Sequence, residues 1–301
     1  MKLHTSSAMG LLLAGAAIAA PTKGGCDGGD KAAYTHSGGF RCTHYDTTTL
    51  RSRNAARVKQ NYSWADGRLE TTNITSVSGT FTVPAITSSS TTDNPRIGRG
   101  AAIWLGIGGH IKDLNCSLIQ AGVGSDIRDG RTSHSAAVEW LPGVAISQPM
   151  NLSAGDSVII SVTVTSKNSG TVFFENKTKG TNFTHNFANE TTPVCGPEAY
   201  WILESYFKSD GIEKWHVPLV NFDTISFTNT SVTTSGGIIT DNSRIETFEI
   251  FDSKNKLLAD TTINASSITV SYRGKERGLR DDKITRTEQN TKTVRDEAVA
   301  D

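Results

Sequence analysis

Residues 157–165, SVIISVTVT, alternate without interruption between branched apolar and smaller polar side chains. Side chains point to opposite faces along a strand, so Val158, Ile160, Val162 and Val164 share one face, against Ile159, Ser161, Thr163 and Thr165. The same period recurs in VSGTFTVP, where Val77, Gly79, Phe81 and Val83 align and Pro84 ends the run. TVFFEN (171–176), DTISFTN (223–229), RIETFEI (244–250) and SSITVSY (266–272) repeat it. Helical periodicity is absent from Tyr62 to Tyr272, and turn residues recur about every ten positions. An all-β sandwich is predicted, its roughly 210 residues being enough for a full core.

The flanks differ from this body. Lys2 and His4 precede an apolar run from Ala8 to Ile18, followed by the small-residue pattern Ala17-Ile18-Ala19. Residues 1–19 thus read as a secretory signal. The run is shorter than the ~20 residues a spanning helix needs, so a secreted, extracellular protein without membrane association is expected. Nine N-x-S/T sequons, at Asn61, Asn73, Asn115, Asn151, Asn176, Asn182, Asn189, Asn229 and Asn264, point to a glycoprotein. A zero formal charge conceals a net +4 over residues 20–59 and a net −5 over residues 60–273. A basic leader before an acidic body is the pattern of a nucleic-acid arm; in an exported chain a prosegment lying against its own domain fits better. Residues 274–301 are charged, poor in large apolar side chains, and read as a separate tail. Four cysteines allow three connectivities, of which Cys26–Cys42 with Cys116–Cys195 is favoured. The second bridge would close a loop worth about 4 kcal/mol in the chain-entropy model.

Absent motifs narrow the chemistry. The chain has no H-E-x-x-H, no G-x-S-x-G and no D-T-G or D-S-G. Paired Cys/His spacing is missing too, so no metal and no cofactor are expected. Three polar residues stand inside apolar strands instead: Gln120 in SLIQAGVG, Glu139 in AAVEWLPG and Glu204 in AYWILESYF. In the last, Tyr200, Ile202, Glu204 and Tyr206 share a face opposite Ala199, Trp201, Leu203 and Phe207. Ionised carboxylates are seldom buried unpaired, and an apolar groove with a few converging polar groups would need this pattern.

WLGIGG, SLIQAG, VEWLPG and AYWILESYF, in this order, resemble the glutamic peptidases (eqolisins), secreted acid endopeptidases of mainly fungal origin. Trp64, FTVP, ISQPMNLSAGDSVIISVTVTS, FFENKTKG and VPLVNFDTISFTN extend the likeness over roughly residues 60–273. The resemblance implies a concanavalin- or lectin-like jelly roll, a sandwich of two bent antiparallel sheets, with Gln120 and Glu204 as the catalytic pair. It puts Trp104, Glu139, Trp140, Tyr200 and Tyr206 around the substrate, and Cys116 and Cys195 in the family's disulfide positions. It also implies polypeptide substrates, insensitivity to pepstatin, and a basic prosegment that acts as the enzyme's own inhibitor. A monomer that binds no nucleic acid is expected. Glu204 would take a proton from water at acid pH and return it to the leaving amine, while Gln120 steadies the oxyanion. Two departures stand near this pair. Gly108 replaces an aspartate common in the family, with Asp113 as a substitute only if its loop folds back, and Val138 and Leu141 replace two tyrosines. Three rivals remain: an inactive relative, a glycosidase using Glu139 and Glu204 about 5–5.5 Å apart, and a lectin-like binding module.

Overall fold

The computed structural model describes residues 63–88, 97–109, 116–195, 197–209 and 214–274, together with the backbone of short strands at 13–14, 31–34, 40–43 and 59–61. The expected signal, most of the prosegment, Cys26, Cys42, Asp113 and nearly all of the tail lie outside the described side chains.

Strands follow each other from β1 (Trp64–Glu70), β2 (Ile74–Thr82), β3 (Arg99–Gly108) and β4 (Leu118–Arg128) to β5 (Arg131–Trp140) and β6 (Ile146–Gln148). Then come β7 (Ser157–Ser166), β8 (Ser169–Asn176), β9 (Thr181–Phe187), β10 (Glu198–Glu204), β11 (Phe207–Ser209) and β12 (Lys214–His216). β13 (Thr224–Thr234), β14 (Gly237–Ile239), β15 (Glu246–Phe251), β16 (Leu257–Ile263) and β17 (Ser267–Tyr272) complete the body. The main path is antiparallel throughout, in the order β6–β5–β4–β3–β10–β1–β15–β16–β17–β13–β2–β7–β8–β9. The sheet folds over itself, so that β2 and β7 pack across β3 and β4.

Alternation sets what lies between the layers. Val158, Ile160 and Val162 of SVIISVTVT face inward and meet Val77 and Phe81 from β2. Ile103, Leu105 and Ile107 of β3 and Ala199, Trp201 and Leu203 of β10 face them in the same core. Each fully buried branched side chain contributes roughly 1.5–3 kcal/mol. The predicted strands and their inward faces therefore hold, with one local difference. β10 ends at Glu204, where the Ser205 amide turns to the Ser63 carbonyl at 2.7 Å, and Phe207 opens β11 instead of continuing the inner face.

β3, β4 and β10 differ from β7 in being buried on both faces. Their outward side chains form a second apolar cluster of Trp64, Ala102, Trp104, Leu118, Ala137, Tyr200, Ile202, Tyr206 and Val217. The polar residues singled out in the sequence belong to this outer layer.

Sequons sort by burial on this frame. Asn73, Asn151, Asn182, Asn189, Asn229 and Asn264 are exposed, whereas Asn176 is fully buried. Its Nδ2, the atom a glycan would occupy, donates to Asp156 Oδ2 at 2.8 Å and to the Asn151 carbonyl at 3.3 Å. Protein secreted from a eukaryotic host should therefore carry unmodified Asn176. Peptide mapping after enzymatic deglycosylation checks this by the Asn-to-Asp mass change, and a modified Asn176 in folded protein would overturn it.

Candidate active site

Backbone register determines how the polar residues meet. Across β3, Gly106 pairs with Gln120 on one side and Tyr200 on the other. Two residues along, Trp104 pairs with Gly122 and Ile202; two further, Ala102 pairs with Gly124 and Glu204. Gln120 in turn pairs with Glu139 on β5. Gln120, Trp104, Glu139 and Glu204 thus share one face, with Trp104 on the row between the Gln120 row and the Glu204 row.

Two hydrogen-bonded pairs result. Gln120 Nε2 donates to Glu139 Oε2 at 2.6 Å, and Trp104 Nε1 donates to Glu204 Oε2 at 2.9 Å. Gln120, Glu204 and Trp104 are 2%, 3% and 2% exposed, and Glu139 is fully buried. Bonds to a carboxylate in so dry a setting are stronger than neutral ones and hold their donors in place. An amide nitrogen carries two hydrogens, so Gln120 retains a second N–H after serving Glu139. Its Oε1 is buried with no hydrogen-bond partner among the described residues, which leaves acceptor capacity at the same position.

Glycine is required on this face. A Cβ on Gly122 would lie 2.7 Å from Trp104 Cε3 and closer still to the Ile103 carbonyl, so the indole lies over β4 only because Gly122 has no side chain. Gly108, where the family commonly has aspartate, is similarly confined: a Cβ there would come 2.6 Å from Leu118 Cα. A carboxylate cannot be restored at that position without moving β4. The hydrogen-bond partner of Gln120 is Glu139, on the neighbouring strand β5.

Tyr200 and Tyr206 both lie in the outer cluster, yet each hydroxyl is already committed. Tyr200 donates to Glu198, which pairs with Arg68 at 2.9 Å; Arg68 also reaches Glu246 at 2.6 Å. Burial, then Glu198, pushes the Tyr200 phenol far above its ordinary pKa. Tyr206 donates to Asp126, and burial together with that carboxylate likewise keeps its phenol protonated. These rings can line a groove but are not free acids or bases. Trp140 corrects an expectation. Being adjacent to Glu139, it faces the opposite way, into the core between the layers, where it packs on Phe187 and donates to the Thr192 carbonyl at 2.9 Å.

Cys116 and Cys195 form the expected disulfide. It ties the entry to β4, four residues before Gln120, to the approach to β10, and the Ser117 amide adds a 2.7 Å bond to the Pro193 carbonyl. Ser205 and His216 share a 2.9 Å hydrogen bond, but Ser205 is fully buried and its hydroxyl also faces the Val217 carbonyl, an arrangement for packing and not for nucleophilic attack. Asp66 and Arg68 were missed by sequence reasoning. Both are buried on the face that carries Trp64, and strict alternation in WADGRLE was the signal that could have found them.

A protein-family model described as the Peptidase A4 family matches residues 62–272. Aspergillopepsin-2 of Aspergillus niger is 30% identical over 243 residues, covering 75% of this chain and 83% of that protein. Scytalidopepsin B of Scytalidium lignicola is 27% identical over 238 residues, covering 77% and 86%. Among solved structures, scytalido-glutamic peptidase with a transition state analog inhibitor superposes with a TM-score of 0.62 at 25% identity, over 70% of this chain and 98% of that one. Aspergilloglutamic peptidase from Aspergillus niger gives 0.53 at 32% identity, over 58% and 99%.

Proposed function

The chain belongs to the Peptidase A4 family, the glutamic peptidases, and is a hydrolase of the endopeptidase class; from that premise we propose that it is a secreted acid endopeptidase in which Glu204 and Gln120 activate water against a peptide bond. The observation that carries the reading is the pair of buried contacts, Trp104 to Glu204 and Glu139 to Gln120, on one face of one sheet.

In this mechanism the substrate lies over Trp104. Glu204, its Oε2 held by the indole N–H, takes a proton from water as the water attacks the scissile carbonyl. The second N–H of Gln120 donates to the oxyanion, and its Oε1, unpartnered among the described residues, can accept from the water. Glu204 then returns the proton to the leaving amine. Glu139 orients Gln120. A carboxyl group that serves first as base and then as acid suits catalysis at acid pH. Pepstatin fits sites with two aspartates, and the D-T-G and D-S-G stretches of such sites are absent.

The glycosidase alternative needs Glu139 and Glu204 about 5–5.5 Å apart. β4 and β3 lie between their strands, so their backbone positions are about 14 Å apart across the sheet alone, at about 4.8 Å per strand. Each carboxylate also already has its own donor.

Residues 20–59 are proposed to be an inhibitory prosegment, on the strength of their +4 charge against an acidic body. Among the described residues no helix is long and apolar enough to cross a membrane.

The test is cleavage of a denatured protein at about pH 3–4 after prosegment removal, with and without pepstatin. Cleavage unaffected by pepstatin is expected. Abolition by pepstatin, or inertness of the correctly processed protein toward every unfolded substrate, would overturn the proposal.

A further inference from the structure

One row beyond Glu204, the outer face ends in a charged cavity that the proposed reaction does not use. Gly100 pairs with Asp126 on β4, two residues from the Ala102 position that pairs with Glu204, or about 7 Å along the strand. The cavity, about 500 Å³, is lined by Asp126, Arg128, Asp129, Arg131, Ser133 and Lys208. Asp126 and Lys208 are both 5% exposed, an uncommon degree of burial for charged residues.

Its wall is built. Lys208 Nζ donates to Asp126 Oδ1 at 2.8 Å, Tyr206 donates to the same oxygen, and the ammonium lies 5.4 Å from the centre of the Tyr206 ring. A Cβ on Gly100 would overlap both the Tyr206 hydroxyl and Asp126 Oδ1, so glycine is needed for this contact. Asp126 Oδ2 is buried without a hydrogen-bond partner among the described residues, an acceptor suited to a peptide N–H.

Lys208 neutralises Asp126 internally. The rim then carries two guanidinium groups, Arg128 and Arg131, against the exposed Asp129 of the β4–β5 turn. The two guanidinium groups outnumber that one carboxylate. The cavity is therefore net cationic. Arginine pairs with carboxylates through two parallel hydrogen bonds.

We infer that this cavity is a substrate subsite that selects an acidic side chain, with Arg128 and Arg131 taking its carboxylate. The inference rests on the endopeptidase reading above, since only a polypeptide over Glu204 brings a side chain to this row.

The test uses processed enzyme and quenched fluorescent peptides that differ only by Glu, Gln or Lys at each position around the scissile bond. At about pH 5, where a glutamate side chain is mostly ionised, Glu should exceed Gln in kcat/KM at one position by about tenfold. The ratio should fall toward one at about pH 3 as that carboxyl protonates. In Arg128→Gln/Arg131→Gln it should collapse to near one, and in Arg131→Glu the preference should turn toward Lys. Both arginines border a surface turn, so the variants should fold. A Glu preference at no position, or one that survives the double substitution, would show only a structural ion cluster and sink the inference. If processed wild type cleaves nothing, the endopeptidase mechanism fails by itself. Binding of labelled, uncleaved Glu and Gln peptides to Glu204→Gln protein then tests the subsite: tighter binding of the Glu peptide supports it, and equal affinity overturns it.

Discussion

Glu204→Gln should reduce kcat on an unfolded protein by about a thousandfold or more, within the 100- to 10,000-fold range of a lost general base and acid. The substitution keeps the shape of the side chain, and its amide oxygen can still accept from Trp104 Nε1, now 2.9 Å from Glu204 Oε2. What disappears is the ability to take a proton from water and hand it to the leaving amine. KM should change little, because the same groove side chains surround the substrate. Thermal unfolding close to wild type, measured beside kcat, separates chemical loss from misfolding. Activity within tenfold of wild type in a folded variant would rule Glu204 out as the base.

Glu204 was legible in the sequence because alternation placed it among Tyr200, Ile202 and Tyr206, and all four are buried on the same side of β10 or just beyond it. The layer packing was legible for the same reason: Val158, Ile160 and Val162 face inward by period alone. Pairing across strands was not. Nothing in WLGIGG says that the Trp104 indole bends over Gly122 to reach Glu204, because that depends on which strands flank β3 and in what register. Trp140 shows the opposite failure, where a motif neighbour was assigned to the site although alternation already turned it toward the core. The Asp126–Lys208 cluster was invisible for a third reason. Its members lie 82 positions apart, on strands whose surroundings read as ordinary turns. Family likeness pointed to the proposed reacting residues, while the contacts that hold them, and the charged cavity beside them, are read from the packing of this chain.

Gln120→Ala is the second large effect expected, a loss of about 100- to 1000-fold in kcat, the usual consequence of removing one oxyanion donor. The truncation also leaves Glu139 buried without the Nε2–H that now reaches it at 2.6 Å. A stability loss of roughly 1–3 kcal/mol should accompany the lost rate, and chemical denaturation would read it. Glu139→Gln separates the two roles. In the glutamic-peptidase mechanism Glu139 only orients Gln120, and an amide at 139 can still offer its oxygen to Nε2. Rate should therefore fall far less than in Gln120→Ala, by about tenfold if one charge-assisted bond is weakened by about 1.4 kcal/mol. In a glycosidase, Glu139 would be a reacting carboxylate, and the same substitution would remove activity altogether. Ordering the three variants by kcat on one substrate therefore decides between mechanisms: Glu204→Gln lowest, Gln120→Ala next and Glu139→Gln highest supports the Glu204–Gln120 pair. A Glu139→Gln enzyme as inactive as Glu204→Gln would transfer the chemistry to the two carboxylates.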